Sequence, residues 1–281
     1  MSFLVMLLAL LVEKFSDWRV RIQQDGPWLA QLRRAEGNPR LTGAPWLVLL
    51  ALVVLPALLL GLLLMALQPL AYGWLVLPLH LLVLLYALGR GHAKRELGPL
   101  RDAWRRNDLE AAALVAERDL GLTADEPAAL ARAIEAQLLW RGYQDFFAVI
   151  FWYLLLGPVL ALAYRLLALV EQHAGDAALR ERASQLRHGL DWLPVRLLAA
   201  SFALVGNFTA VSRVLLHELL NWDIPARRLL AEVGPQAADL RGEIEPREVV
   251  ARLDTLAELL IRARVLWYAA AALWVLLPWA E

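Results

Sequence analysis

From Ala44 to Leu67 the sequence holds no charged residue. About 20 mostly apolar residues in a helix, each rising about 1.5 Å, cross a hydrocarbon core about 30 Å thick, so this run predicts a transmembrane helix. Inside lipid the backbone must satisfy its own hydrogen bonds, which leaves helices and closed barrels as the spanning structures. A short break at Gln68, Pro69, Tyr72 and Gly73 carries turn chemistry, and Trp74 to Leu88 is again free of formal charge. Two antiparallel spans joined by a tight loop are the expectation, with Pro56, Gly61 and Pro78 kinking them rather than ending them. A third span is expected from Phe146 to Val170, interrupted at Gly157-Pro158 and carrying Arg165. A fourth runs from Val265 to Trp279, with Trp267, Tyr268, Trp274 and Trp279 suited to interfacial anchoring. The fold class expected is all-α: a polytopic helical membrane protein with a small cytoplasmic helical subdomain.

Composition agrees. The chain is 60% hydrophobic and 20% charged, with a mean hydropathy of +0.50, against about 45–50% apolar and about 25% charged in globular domains. Lys plus Arg and Asp plus Glu each total 28, so no basic field exists to hold nucleic acid. The sequence has no Cys. That excludes disulfides, a thiol nucleophile and cysteine-ligated metal. His80, His92, His173, His188 and His217 form no i,i+4 pair, and no HExxH, Walker, GxSxG or EF-hand pattern occurs. Gly89-Arg90-Gly91 lacks the rest of a phosphate loop. No metal, cofactor or catalytic residue is therefore expected.

Two segments are ambiguous. Phe3 to Val12 is short for a span; Phe15 and Trp18 lengthen it if Glu13 and Lys14 face protein. No basic residue precedes this run and no small-residue cleavage site follows it, which disfavours a signal peptide. Trp192 to Leu216 holds Arg196, Asn207 and Arg213 among apolar residues and can cross, dip in and return, or lie in the interface. Basic residues flank the first two spans at Lys14, Arg19, Arg21, Arg33, Arg34 and Arg40 and at Arg90, Lys94, Arg95, Arg101, Arg105 and Arg106, whereas the tight loop has none. Both flanks are expected to be cytoplasmic.

Four regions follow: 1–89, membrane helices with a basic cytoplasmic loop; 90–145, the cytoplasmic helical subdomain; 146–217, broken and re-entrant-capable membrane helices; and 218–281, amphipathic helices leading into a final span. In the second, Leu100 and Trp104 share one helix face, and Leu109, Ala113, Ala116 and Leu120 share another. Asn107 with Glu110 reads as a capping box, Gly121 as a stop, and Thr123, Glu126 and Pro127 as a new start running to Tyr143. No fixed-period repeat is visible. Near the other end Glu245-Pro246 opens a helix whose face is Leu253, Leu256, Ala257, Leu260 and Ile261, with Glu258 and Arg262 at a supportive i,i+4 spacing.

Ionisable residues set against apolar surroundings are the candidate site, because charge at membrane depth is costly and marks pathways, ligands or partner charges. Glu135, Arg165, Asp191 and Arg196 are the expected ligand-binding set; Glu13 and Asp145 are further intramembrane charges, and Glu171 marks a span end. Asp191-Trp192-Leu193-Pro194-Val195-Arg196 reads as a turn with a helix-starting proline that presents charge at the membrane boundary.

The runs Glu135-Ala136-Gln137 to Phe147, Phe151-Trp152-Tyr153 with Gly157-Pro158 and Ala163-Tyr164-Arg165, and Asp191 to Leu197 resemble the AmpE proteins, within the CobD/CbiB-like superfamily. Asn107 to Ala111, Val115-Ala116, Glu13-Lys14 and the helix from Pro246 extend the likeness over most of the chain. The CobD/CbiB branch implies an ATP-dependent synthase that joins an aminopropanol unit to a corrinoid through an amide. Where that branch carries acids and amides, this sequence reads Leu138-Leu139-Trp140-Arg141-Gly142 and Leu167-Ala168-Leu169-Val170-Glu171-Gln172, so the resemblance favours the AmpE branch. That branch implies a bacterial inner-membrane regulatory or sensory protein, non-enzymatic, tied to anhydromuropeptide recycling and β-lactamase induction. The partners expected are membrane lipids, an anionic or amphiphilic ligand, and a membrane or cytoplasmic protein. A diverged amide synthase and a transporter of a wall precursor are the alternatives; against the latter, no repeated halves are visible.

Overall fold

The structure is a computed structural model and describes residues 2–15, 23–38, 41, 43–69, 74–89, 97–240 and 242–276. All regular structure among them is helical, as the apolar periodicity requires. In chain order the helices are α1 (Ser2–Phe15), α2 (Gly26–Glu36), α3 (Pro45–Leu67), α4 (Val76–Ala87), α5 (Gly98–Arg105), α6 (Leu109–Leu120), α7 (Pro127–Gly142), α8 (Ala148–His173), α9 (Ala177–Val205), α10 (Phe208–Glu218), α11 (Ala226–Ala237) and α12 (Val249–Leu276). Among the described residues two stretches are long and apolar enough to cross a membrane: α3, and the helical run Pro127–His173 that leads from α7 into α8 and is kinked at Gly157. Helix α4 is apolar but shorter. The loop over 70–73, the Gly89-Arg90-Gly91 motif beyond Gly89, the side chains of Glu13, Lys14 and Trp274, most of the two basic flanks, and Trp279 lie outside the described residues.

The chain divides into two discontinuous units, residues 1–90 with 148–191 and residues 91–147 with 192–281. These follow spatial contact, whereas the four regions read from the sequence follow polarity.

In the first unit α8 packs along α4 and α3, and α1 packs on α4. Its core brings Leu32, Leu49, Val53, Leu166, Leu169 and Val170 together. Pro56 explains a local irregularity in α3. A proline has no N–H for the carbonyl four residues before it and clashes with that carbonyl; the preceding turn, Leu50–Val54, widens into a π-helix. The Leu52 carbonyl accepts instead from the Trp28 indole, at 3.3 Å. Gly157 has φ +76°, a left-handed value open to glycine, and with Pro158 it breaks α8 where the sequence places the interruption. The α8–α9 hairpin turn is held by the Glu36 carboxylate, which accepts from the N–H groups of Gly175 at 2.8 Å and Asp176 at 3.1 Å.

In the second unit α7 packs on α11 and α12, α5 on α6, and α10 on α11. The turns refine the sequence reading. Leu100 and Trp104 are buried on one face of α5, as the spacing requires. Gly121, at φ +64°, stops α6, as expected of a left-handed C-terminal glycine. Its cap, however, is Asp108, whose Oδ1 accepts from Ala111 N at 3.0 Å; Asn107 sits one residue earlier in the left-handed region at φ +57°, which asparagine tolerates. The buried stripe of α6 is Ala112 and Ala116, and Ala113 is exposed. Helix α7 starts on Pro127 without a side-chain cap from Thr123 or Glu126. A 3₁₀ turn from Pro246 leads into α12, which continues to Leu276 without a break. Leu253, Leu256, Ala257 and Leu260 are buried on α12, while Ile261 is exposed. Trp267 is half-buried; its indole donates to Ser201 Oγ at 2.8 Å and its ring meets Phe147 edge to face.

Candidate functional site

Asp191 and Pro194 lie inside one uninterrupted helix, α9, rather than at a turn. A proline inside a helix costs one hydrogen bond, and here it is tolerated; the chain breaks instead at Gly206-Asn207, where Asn207 caps α10 by accepting from Ala210 N at 3.0 Å. Because α9 stays helical, Arg187 falls one turn before Asp191 and on the same face.

That face meets α8. Tyr164 donates to Asp191 Oδ1 at 2.7 Å. Arg187 Nη2 donates to the Tyr164 hydroxyl at 3.1 Å and lies 3.4 Å from Asp191 Oδ2. Its Nη1 pairs with Glu171, two turns along α8 from Tyr164. Tyr164, Arg187 and Asp191 are 1%, 2% and 3% exposed, so all three are withdrawn from solvent while Glu171 keeps an open edge. A buried charge is tolerated when paired and hydrogen-bonded in this way.

The other expected residues have separate partners. Arg165, also in the first unit, pairs with Asp25 at 3.1 Å, and Tyr86 hydrogen-bonds to the same carboxylate. In the second unit Glu135 is 3% exposed and takes a forked ion pair from Arg252, at 2.6 and 3.3 Å; it is not a solvated helix residue.

Arg196 is 4% exposed and holds carbonyls. It donates to Trp192 O at 2.8 Å, Leu219 O at 2.6 Å and Glu218 O at 3.4 Å, and to Asn221 O, with its guanidinium 4.3 Å above the Trp192 ring. The last carbonyls of a helix have no intrahelical donors, so Arg196 closes the C-terminal end of α10. Asp145 lies half-buried in the π turn Tyr143–Phe147 between α7 and α8. Glu13 falls on α1.

Within the first unit the structure thus joins Asp191 to Glu171 through Arg187 and Tyr164, and gives Arg165 a different carboxylate. Sequence reasoning missed Arg187, Arg252 and Asp25. Two of them left a signal. Arg187 precedes Asp191 at i,i+4, and Arg252 stands on the buried face of α12, three residues after Val249 and four before Leu256.

Comparison with known proteins bears on this arrangement. A family profile described as "Regulatory signalling modulator protein AmpE" matches residues 1–221. The chain is 31% identical over 183 residues to a protein named Cobalamin biosynthesis protein CobD from Stutzerimonas stutzeri (strain A1501), covering 62% of this chain and 58% of that protein. It is 30% identical over 159 residues to Protein AmpE of Shigella flexneri, covering 52% of this chain and 56% of that one. The matched regions thus span a little over half the length of either curated relative. No solved structure matches the chain. With the profile matching well over half of its residues, the chain belongs to the AmpE family.

Proposed function

We propose that the protein is a multi-pass protein of the bacterial inner membrane and a non-enzymatic regulator that links anhydromuropeptide recycling to β-lactamase induction. The observation that carries this reading is the Tyr164–Arg187–Asp191 cluster. The acid shared with the family motif is committed to a buried ion pair and a tyrosine hydroxyl. In a regulator this cluster is the charged element a ligand acts on: an anionic or amphiphilic molecule entering beside Glu171 competes with Asp191 and Glu171 for Arg187. The released carboxylates then carry the altered charge along the α8–α9 hairpin. A switch of this kind needs a ligand that prefers one of two arrangements.

The test is β-lactamase induction in cells lacking the chromosomal copy, complemented with the wild-type chain or with Asp191→Asn. Restored induction by the wild type and altered induction by the variant at equal membrane abundance is the expected result. Equal induction with and without the protein overturns the regulatory role.

An amide synthase is the second reading, favoured by the 31% identity to the protein named Cobalamin biosynthesis protein CobD. Incubating the purified protein with ATP, a corrinoid acid and an aminopropanol donor separates the two. No amide product is expected, and its formation would establish the enzyme.

A further inference from the structure

A cavity of about 340 Å³ lies in the first unit between α3, α8 and α9, lined by Leu49, Val53, Ala163, Leu167, Leu186 and Leu190. Its size falls in the range of about 300–1,000 Å³ typical of small-molecule sites, but its walls carry almost no polar surface, so nothing in its depth orients a polar ligand. Its occupant has to be hydrocarbon where it enters.

The rim supplies the other half of the recognition. One turn before Leu49 on α3 stands Trp46, and one turn before Leu186 on α9 stands Arg182, whose guanidinium lies 5.7 Å from the Trp46 ring centroid. Both are exposed. Arg182 bonds to Gln185 at 2.9 Å, and Gln185 in turn to Glu181 at 2.8 Å, which leaves the outer edge of the guanidinium facing solvent.

The direction of the helices gives the cavity a polar and an apolar end. Helix α3 descends from Trp46 through Leu49 to Val53, α9 from Arg182 through Leu186 to Leu190, and α8 rises from Ala163 to the hairpin turn beside Gly175. Towards the groove the helices therefore present Trp46 and Arg182 at its mouth and only apolar groups below them; Tyr164, Arg165, Arg187 and Asp191 of α8 and α9 do not line it. Basic and tryptophan side chains at the edge of an apolar span are the pattern of a headgroup boundary. Val54, Leu55 and Leu58 stay exposed alongside, so the groove is continuous with the apolar outer face of α3.

We infer that this groove is a binding site for an anionic phospholipid, its acyl chain between α3, α8 and α9 and its phosphate at Arg182 over Trp46. The inference rests on the membrane placement proposed above. A zwitterionic lipid fills the groove equally well but brings a cationic group to Arg182, so headgroup charge decides the preference.

The test uses the full-length protein purified in mild detergent and titrated with dioleoylphosphatidylglycerol or dioleoylphosphatidylcholine under native mass spectrometry. One tightly retained phosphatidylglycerol per chain is expected, preferred about fivefold, as for one basic residue at an anionic surface. Arg182→Gln should abolish the preference. Val54→Phe and, deeper in the groove, Ala163→Phe should lower retention of both lipids; Val54 is exposed, so its variant is expected to fold if the other does not. Equal retention of both lipids by the wild type, an unchanged preference in Arg182→Gln, or undiminished retention in a folded Val54→Phe variant each overturns the site while leaving the membrane placement intact. Recovery of the chain in the aqueous fraction without detergent overturns the membrane placement and the site together.

Discussion

Arg252 and Glu135 meet as a forked ion pair across 117 residues of chain, with Nε 2.6 Å from Oε1 and Nη2 3.3 Å from Oε2. The pair joins α7 to α12, and Arg252 also reaches the Leu240 carbonyl at 3.4 Å. Both side chains are buried, so each is the other's compensation for lost water.

Removing one partner leaves an uncompensated buried charge, at a cost of about 3–5 kcal/mol. Glu135→Ala and Arg252→Ala should each lower the thermal midpoint of the detergent-solubilised protein sharply, followed by circular dichroism at the helical band. The double variant Glu135→Leu with Arg252→Met should recover most of that loss, since an apolar pair of similar volume replaces an ion pair at little net cost. A double variant as unstable as the sum of the singles would show that the two side chains act independently.

Tyr164→Phe removes the hydroxyl that bridges Asp191 and Arg187 while keeping the ring. A hydrogen bond to a charged group is worth about 1.5–3 kcal/mol, and the variant should lose stability in that range. A midpoint unchanged from wild type in the same melting experiment would mean that the hydroxyl is dispensable to the cluster.

Arg196 is expected to act on one helix end. Arg196→Lys keeps the charge and loses the planar fork that reaches several carbonyls at once. Faster amide hydrogen exchange confined to the last turn of α10 and residues 219–222 is the expected signature. Exchange unchanged there would remove Arg196 from this closing role.

Two glycines should respond in opposite ways. A Cβ on Gly206 would meet the Ala237 carbonyl and lie 3.0 Å from the Phe202 carbonyl; these are backbone atoms that cannot swing aside, and overpacking of this kind costs about 1–3 kcal/mol. A Cβ on Gly61 would sit 3.6 Å from Val159 Cγ2, an ordinary contact, and in a helix alanine is favoured over glycine by about 1 kcal/mol. Gly206→Ala should therefore be destabilised and Gly61→Ala should not, as judged by thermal melts of the two variants side by side.

What was legible in the sequence is local. An uncharged run of spanning length located α3 and a run with Arg165 as its one charge located α8, Gly121 and Pro246 marked a stop and a start, and Gly157-Pro158 marked a break, because each depends on residues within a turn or two of one another. Residue types also identified Glu135, Asp191 and Arg196 as charges in apolar surroundings. Their partners were another matter. Whether Pro194 starts a helix or sits inside one depends on whether the surrounding packing repays the lost hydrogen bond, and that decision places Arg187 beside Asp191. Glu135 finds Arg252, and Arg165 finds Asp25, only because separate helices dock with those faces together. The sequence by itself determined where helices form and which charges need compensation, since periodicity and polarity are properties of neighbouring residues; the tertiary structure alone decided which distant group supplies it, because ion-pair geometry depends on how helices far apart in the chain come into contact.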